Sequence, residues 1–251
     1  ITPGINKEEI FKALKNLAPQ YDQVILAGYP PFVKDIIDEA PAKGINLKKL
    51  NLHFLFAAEP FTEKFRDYIF EATGVKNPCL NSMNIYGSAD IGSMAFETPL
   101  SIFIRREALK NKKLYQSLFP ATTTKLPTLA QYIPEFISFE QEKGEILLTG
   151  DNSIPLIRYA IGDSGGVYDW DTINEKFASQ GLDLSASLAK AGLANYNYKL
   201  PFVYIYERSD FSVKLYGAII EPATIREALF FKPLQKYLTG KFSMLVLHDK
   251  K

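Results

Sequence analysis

Residues 52–74, LHFLFAAEPFTEKFRDYIFEATG, place a short apolar run next to a segment with helical spacing. The run 52–58 has the length of a strand and is almost entirely apolar. From about Thr62 the large apolar residues recur three and four positions apart, and so share one helical face: Phe65, Tyr68, Ile69 and Ala72. Gly74 follows, and glycine commonly ends helices because it adopts the left-handed conformation easily. The stretch therefore predicts a strand followed by an amphipathic helix.

The residues that precede this stretch extend the same alternation. Asn6 is followed by Glu9, which is the spacing of a helix N-terminus, and apolar residues then recur at helical spacing up to Leu17. The turn Gly28-Tyr29-Pro30-Pro31 leads into a second amphipathic segment. Helix, strand and helix alternate up to about residue 75, which predicts an α/β region.

From about Ile85 the pattern changes to short apolar runs between Gly, Pro, Asp and Asn turns. We expect strands at 102–104, 136–139, 145–148, 156–159, 167–170, 202–206 and 212–216. Residues 172–194 have a helical pattern that is broken near Gly181 and capped by Asp183, and 223–230 have another.

The composition is that of an ordinary globular protein, with 47% hydrophobic and 23% charged residues in a chain of 251. A net charge of +1 argues against nucleic acid or an anionic membrane surface as partner. No apolar run approaches the roughly 18 residues of a membrane helix. The single cysteine, Cys79, excludes an internal disulfide and favours a cytoplasmic setting. The first residue is Ile1 rather than Met, so we expect a fragment or a processed chain.

The segment Asn84-Ile-Tyr-Gly-Ser-Ala-Asp-Ile-Gly92 combines an apolar strand with a Gly/Ser turn. Glycine adds no side chain to a turn, so backbone amides can approach a ligand closely. Asp90 is the only carboxylate in the turn and could hold a divalent metal ion that neutralises phosphate charge. Tyr86 offers a flat face for a purine. Taken alone, an ordinary strand-to-loop turn is the simpler interpretation.

Two later segments carry similar chemistry. In Arg158-Tyr-Ala-Ile-Gly-Asp-Ser-Gly-Gly166, a carboxylate in a glycine-bounded turn can accept two hydrogen bonds from a ribose diol. The alternative is a plain hairpin turn, because Gly-Asp and Gly-Gly are strong turn formers. Residues 207–217, ERSDFSVKLYG, indicate a charged turn and a strand, and a helix with Pro222 near its first turn follows.

Taken in order, these segments resemble the adenylate-forming superfamily of acyl-CoA synthetases, aryl-CoA ligases and peptide-synthetase adenylation domains. Within it the chain is most similar to the phenylacetate–coenzyme A ligase branch. The family carries an aromatic-Gly-x-Thr-Glu turn, an Arg-Tyr-x-x-Gly-Asp turn, an Arg-x-Asp hinge, a strand with Lys and Gly, and a Pro-x-x-Ile helix. The corresponding segments here are 86–90, 158–163, 208–210, Lys214 with Gly217, and 222–225. The turn 28–31 and Ala57-Ala58-Glu59 also fall where the family has its substrate-side helix and a Gly-Gly-Glu turn beside adenine.

The resemblance implies an α/β fold with two domains. Residues 1–208 would be the C-terminal part of the large AMP-binding domain, a mixed sheet with helices plus a small antiparallel β subdomain. Residues 209–251 would begin a small α+β C-terminal domain, with the hinge near residue 210.

The resemblance also implies a binding site for the nucleoside part of ATP and AMP. Tyr86 would stack on adenine, beside the turn that carries Glu59. Asp163 would bind both ribose hydroxyls with the help of Arg208.

The phosphate end of the implied site uses a different set of residues. The backbone of Gly87, Ser88 and Ala89 would line the α-phosphate. Asp90 would stand where the family has its magnesium-binding Glu.

The implied reaction joins a carboxylic acid to AMP with loss of pyrophosphate, and a thiol then displaces AMP. The acid would be an aryl or other medium-sized organic acid, and the thiol that of coenzyme A or of a phosphopantetheine carrier protein. Asp210 would be the hinge about which the C-terminal domain rotates between the two steps, and Lys214 would face the thiol acceptor. A homodimer is a further possibility for the assembly.

The chain also departs from the family pattern. Ala89 replaces the family Thr, Asp90 replaces Glu, and Ala57-Ala58 replaces Gly-Gly. No Ser-Gly-Thr-Thr-Gly-Lys type of phosphate loop occurs, and no lysine stands where the family has its C-terminal adenylating lysine. We therefore expect parts of the machinery to lie before Ile1 and after Lys251, and the 251 residues alone to be inactive.

Two other hypotheses remain open from the sequence. The chain could be a catalytically degenerate nucleotide-binding or regulatory module of the same fold, which Ala89 and Asp90 favour. It could also be a separate subunit that a partner carrying the missing loop completes.

Overall fold

The first three helices and the strand at 52–56 follow from the sequence pattern, whereas the strand at 24–28 was not predicted. In a computed structural model the described residues are 2–120, 126–151, 155–206, 213–215, 218–220, 222–231, 233–234, 237–238 and 240–245. The first five elements are α1 (Lys7–Asn16), β1 (Val24–Gly28), α2 (Pro30–Glu39), β2 (Leu52–Phe56) and α3 (Glu63–Thr73). The Asn6 side chain accepts from the Glu9 amide and caps α1, and Thr62 caps α3 in the same way. Gly74 ends α3 with φ 72°, so the predicted boundaries of these helices are confirmed.

The next part of the chain contains more helix than the sequence pattern predicts. Its elements are α4 (Pro78–Asn81), β3 (Ser82–Ser88), β4 (Gly92–Phe96), α5 (Pro99–Lys110) and α6 (Lys112–Leu118). The prediction of a strand at 102–104 is wrong, because these residues lie inside α5. The Thr98 and Ser101 side chains cap the start of α5 reciprocally, and Pro99 stands at its first position. The run Ile-Phe-Ile is fully buried, so it lacks the polar positions that would have revealed helical spacing.

The following strands form antiparallel pairs. The elements are β5 (Thr128–Gln131), β6 (Ile137–Glu142), β7 (Glu145–Asp151), β8 (Pro155–Tyr168), α7 (Trp170–Ala178), α8 (Leu184–Lys190) and β9 (Phe202–Ile205). The helical pattern with a break near Gly181 and a cap at Asp183 is confirmed. The prediction of two strands, 156–159 and 167–170, separated by a turn is wrong, because 155–168 form one strand. The first part of β8 pairs with β7, and residues 165–168 pair with β9.

The last described elements are β10 (Val213–Leu215), β11 (Ala218–Ile220) and α9 (Pro222–Leu229). The strands β10 and β11 pair antiparallel, so the predicted strand and the predicted helix in this region are confirmed. Arg208, Asp210 and the side chain of Lys214 lie outside the described residues. The domain boundary after residue 208 and the hinge near 210 stay predictions.

Among the described residues, nine strands form one mixed sheet in the order β1-β2-β3-β4-β5-β9-β8-β7-β6. The pairs β1–β2 and β2–β3 are parallel, and the other pairs are antiparallel. One core packs α1–α3 against β1 and β2, and a second packs α5–α8 against β5 and β9. A third lies among β4, β5, β9 and the meander β6–β8. The α/β fold class with a mixed sheet is therefore confirmed. None of the described helices is long and apolar enough to cross a membrane.

Candidate active site

A cleft of about 1250 Å³ lies at the carboxyl ends of the three parallel strands. Ligands of open α/β sheets commonly bind at this edge, because loops there are free to vary while the strands hold them in place. The lining residues come from segments 29–31, 58–60, 84–90, 159–163, 205–206 and 240–244, with Thr128, Pro222 and Arg226.

The cleft brings together the sequence-predicted residues that the structure describes. Its lining includes Glu59 after β2, Tyr86 and Asp163, the last two residues of β3 (Gly87 and Ser88), and the turn residues Ala89 and Asp90 that follow. Asp163 is contributed by β8 rather than by a hairpin turn, so the turn interpretation of that segment is wrong. The antiparallel half of the sheet carries β8 to the cleft next to the end of β3.

Tyr86 and Asp163 make direct contact although they are 77 residues apart in sequence. The Tyr86 hydroxyl donates to Asp163 Oδ2 at 2.6 Å. Asp163 is only 8% exposed, and the Tyr86 ring lies 6.1 Å from the Phe139 ring, tilted by 32°. The Asp163 carboxylate, which the resemblance assigns to ribose, therefore already accepts a hydrogen bond from Tyr86, which the resemblance assigns to adenine.

The turn after β3 is closed by its own residues. Ser88 Oγ accepts from the Ile91 amide at 3.3 Å. A Cβ added at Gly87 would lie 2.5 Å from the carbonyl oxygen of Gly92, so the close approach of β4 requires glycine here. The sequence argument had assigned this glycine to the approach of a ligand, and the neighbouring strand gives it a second reason.

Asp90 is exposed at the mouth of the cleft, where Oδ2 accepts from the Tyr159 hydroxyl at 3.3 Å. Across the described residues there is no group of three or more His, Cys, Asp or Glu side chains that could hold a metal ion by themselves. Magnesium in nucleotide sites needs only one or two carboxylates, because phosphate oxygens and water complete its shell. A single exposed carboxylate therefore fits that mode of binding.

The opposite wall of the cleft is formed by the segment between β2 and α3. Ala58 has φ 73°, a left-handed conformation that glycine adopts more easily. This explains in physical terms why a Gly-Gly-Glu turn suits the position. Glu59 Oε2 accepts from Arg226 Nη2 at 3.5 Å, which connects this wall to α9.

Asn84 is a cleft residue that the sequence argument did not single out. Its side chain is 5% exposed, and among the described residues its Oδ1 has no hydrogen-bond partner. Asn84 stands two positions before Tyr86 on β3, so both side chains lie on the same face of the strand. Because side chains alternate between the two faces of a strand, assigning β3 and placing Tyr86 in the site would also have pointed to Asn84.

A buried ion cluster that the sequence pattern did not reveal lies between α3 and α5. Its members are Glu63, Arg66, Glu97, Arg105 and Arg106. Arg66 donates to both oxygens of Glu97 at 2.9 and 2.8 Å, and to Glu63 at 3.1 Å. Arg105 bridges the two carboxylates at 3.0 and 3.1 Å, and Arg106 donates to Glu63 at 2.8 Å. Burial by itself would raise the pKa of Glu63, but the three arginines outweigh it and hold that pKa below its usual value.

The comparisons with known proteins address the fold. No protein-family model matches the chain, and no curated protein matches it in sequence. The chain is similar to the solved structure of 2-hydroxyisobutyryl-CoA ligase in the postadenylation state, in complex with 2-HIB-AMP, with a TM-score of 0.58 and 16% identity. That match covers 91% of this chain and 40% of the ligase.

Two further structures of that ligase support the same conclusion. The complex with R3-HIB-AMP matches with a TM-score of 0.57 and 17% identity, over 91% of this chain and 40% of the other. The complex with 2-HIB-AMP and CoA in the thioesterification state matches with a TM-score of 0.51 and 16% identity. That match covers 90% of this chain and 40% of the other. This chain thus spans about 40% of the length of the solved structures it matches, and it has the fold of that part of an adenylate-forming ligase.

Proposed function

We propose that the chain carries the AMP-binding cleft of an ATP-dependent carboxylate–thiol ligase. In the first step a carboxylate oxygen attacks the α-phosphate of ATP, giving an acyl-adenylate and pyrophosphate. In the second step a thiol attacks the acyl carbon, giving a thioester and AMP. The observation that carries the proposal is the meeting of Tyr86, Asp90 and Asp163 on one cleft, at the strand ends of an adenylate-forming fold.

The nucleoside end of the cleft has the groups that a nucleoside needs. The Asp163 carboxylate can accept from both hydroxyls of a ribose once the Tyr86 hydroxyl turns away from it. The Tyr86 ring offers a stacking face for adenine, and Asn84 lines the cleft two positions before it on β3.

The phosphate end lies along the turn after β3. The backbone of Gly87, Ser88 and Ala89 lines the cleft and can face the α-phosphate. Asp90 would hold Mg²⁺ together with phosphate oxygens, and the ion would supply neutralisation of the charge that develops on the phosphates. Three roles rest on the resemblance alone. Lys214 would face the thiol acceptor, Arg208 would contact the ribose, and Asp210 would be the hinge.

The acid is proposed to be an aryl or other medium-sized organic acid, as in the phenylacetate–coenzyme A ligase branch. Apolar and aromatic residues also line the cleft, among them Tyr29, Pro31, Ile85 and Ile205. Coenzyme A or a carrier-protein thiol is proposed as acceptor.

A second candidate function is a nucleotide-binding module without catalysis. Ala89 has no hydroxyl to offer a phosphate, and the hydrogen bond between Tyr86 and Asp163 occupies the ribose acceptor. Such a module would bind AMP and form no acyl-adenylate.

Carboxylate-dependent ATP–pyrophosphate exchange tests the proposal on the complete polypeptide that contains these residues, across a panel of aryl and alkyl acids. Exchange that requires one of the acids supports the adenylating step and identifies the substrate. Absence of exchange with every acid, together with measurable AMP binding, would overturn the ligase in favour of the binding module.

A further inference from the structure

The buried ion cluster touches both walls of the cleft. On the β3 side, Glu97 Oε2 accepts from the backbone amide of Asn84 at 3.1 Å, and the Glu97 amide donates to the Asn84 carbonyl at 2.9 Å. Arg66 also donates to the Ser82 hydroxyl at the start of the same strand. Glu97 therefore holds both backbone groups of Asn84, a residue that lines the cleft.

On the other side, the cluster holds the segment that follows β2. Arg105 Nη2 donates to the carbonyl oxygen of Phe61 at 2.7 Å, two residues after Glu59. Glu63, which opens α3, is bound by all three arginines of the cluster. The same network thus reaches the wall that carries Glu59 and the wall that carries Asn84.

Stability is a weak reason for such a cluster. Arg66 is 0%, Glu97 1%, Arg105 2% and Glu63 5% exposed, so four of these ionic groups have been removed from water. Removing ions from water opposes folding, and well-packed apolar residues often give equal or greater stability. What apolar residues cannot replace is the set of directional hydrogen bonds that fixes backbone groups of two separate segments.

We propose that the buried ion cluster is a positioning device, in which Glu97 and Arg105 set the spacing between the two walls of the nucleotide cleft. Glu97 acts through Asn84 and Arg105 acts through the segment before α3, and neither contacts the ligand. The inference rests on the proposed function, because it places the nucleoside between these walls.

A matched pair of double variants separates positioning from stability. Arg66→Met/Glu97→Gln and Arg66→Met/Glu97→Leu each remove one cation and one anion from the cluster. The glutamine can still accept from the Asn84 amide, whereas the leucine cannot. The readouts are the urea midpoint, AMP affinity by calorimetry, and hydrogen–deuterium exchange of residues 82–86 without ligand.

We expect both variants to fold, with the lower urea midpoint in the leucine variant because its buried Asn84 amide loses its partner. The leucine variant should bind AMP about tenfold more weakly than the wild type and exchange faster over 82–86, while the glutamine variant stays within about threefold of the wild type. Equal affinity losses in the two variants, or no loss in either, would overturn the positioning role. Ile69→Val in the core of α3 is the control: its urea midpoint falls while its AMP affinity is unchanged.

If the double variants do not fold, Arg105→Lys tests the other wall with the buried charge retained. One ammonium cannot hold Glu63, Glu97 and the Phe61 carbonyl in the geometry of the guanidinium. Exchange over residues 57–61 should then rise, and AMP affinity should fall. Failure of the wild type to bind AMP would refute the proposed function instead. The ligand-free exchange would still decide the inference, since unchanged exchange in these variants overturns it.

Discussion

The hydrogen bond between Tyr86 and Asp163 joins the residues proposed for adenine and for ribose. The tyrosine hydroxyl occupies one acceptor position of the Asp163 carboxylate in the ligand-free structure, so it competes with a ribose hydroxyl for Oδ2. A ribose that takes both carboxylate oxygens would displace the tyrosine hydroxyl before it gains its own hydrogen bonds.

Tyr86→Phe keeps the aromatic ring and removes this competing donor. We expect AMP affinity to rise by up to about tenfold, because a competing hydrogen bond worth about 1 kcal/mol no longer has to be broken. Calorimetric titration with AMP measures the change. Tyr21→Phe, which removes an exposed hydroxyl outside the cleft, is the control and should leave AMP affinity as it is. Weaker binding by Tyr86→Phe would mean that the hydroxyl contacts the nucleotide.

The lowered pKa of Glu63 makes folding stability depend on acid pH. Burial alone would raise that pKa, but Arg66, Arg105 and Arg106 lower it below the ordinary value of 4.5. The unfolded chain then binds a proton more readily than the folded chain does. The contribution of Glu63 is thus complete above the unfolded pKa and is lost as pH falls through the folded pKa.

Urea unfolding from about pH 7 to about pH 3 measures this dependence. We expect the wild type to lose stability steeply below about pH 4.5, and Glu63→Gln to lose about 3–5 kcal/mol at neutral pH with a flatter acid profile. Glu71→Gln, at an exposed position of the same helix, is the control and should keep the wild-type profile. An equally steep acid profile in Glu63→Gln would refute the assignment.

At the scale of elements, α5 shows where local start signals decide between helix and strand. The Thr98 side chain accepts from the Ser101 amide, and the Ser101 hydroxyl accepts from the Thr98 amide. The apolar run 102–104 that follows has no periodicity of its own, so only the cap and Pro99 indicate a helix.

Thr98→Ala removes the cap and should lower the free energy of unfolding by about 1 kcal/mol. Thr98→Ser keeps the hydroxyl and should stay within about 0.5 kcal/mol of the wild type. Urea unfolding of the two variants measures the difference. An alanine variant as stable as the serine variant would show that tertiary burial alone holds the helix start.

Helices α1–α3 and the break before α8 could be predicted from the sequence, because the helices have one apolar face and clear start signals. A side chain caps α1, α3 and α8, and α2 begins with Pro30 and Pro31. The single strand β8 could not, because its pairing changes from β7 to β9 around Asp163 and its glycines resemble a turn. The positions of Tyr86 and Asp163 in one site came from the resemblance. Asn84 and Glu97 were missed, because their importance depends on contacts between distant segments.

At the scale of the whole molecule, the cleft is formed by three parts of the fold: the parallel half of the sheet, the antiparallel half, and helix α9. The parallel half supplies the strand ends that carry Glu59 and Tyr86, and the antiparallel half brings in Asp163. Phe230, the residue after α9, packs on α3, where its ring lies 5.3 Å from that of Phe65 at an angle of 90°. The fold is that of part of an adenylate-forming ligase, and the chain spans about 40% of the solved structures it matches.

The most direct test of the account is AMP binding by this 251-residue chain and by its Asp163→Ala variant, measured by isothermal titration calorimetry. We predict that the wild type binds one AMP, and that the variant binds none while keeping the wild-type circular dichroism spectrum. Asp171→Asn, an exposed carboxylate on α7, is the control and should bind as the wild type does. Equal AMP affinity of wild type and Asp163→Ala, or no binding by either, would contradict the assignment of this cleft to a nucleotide.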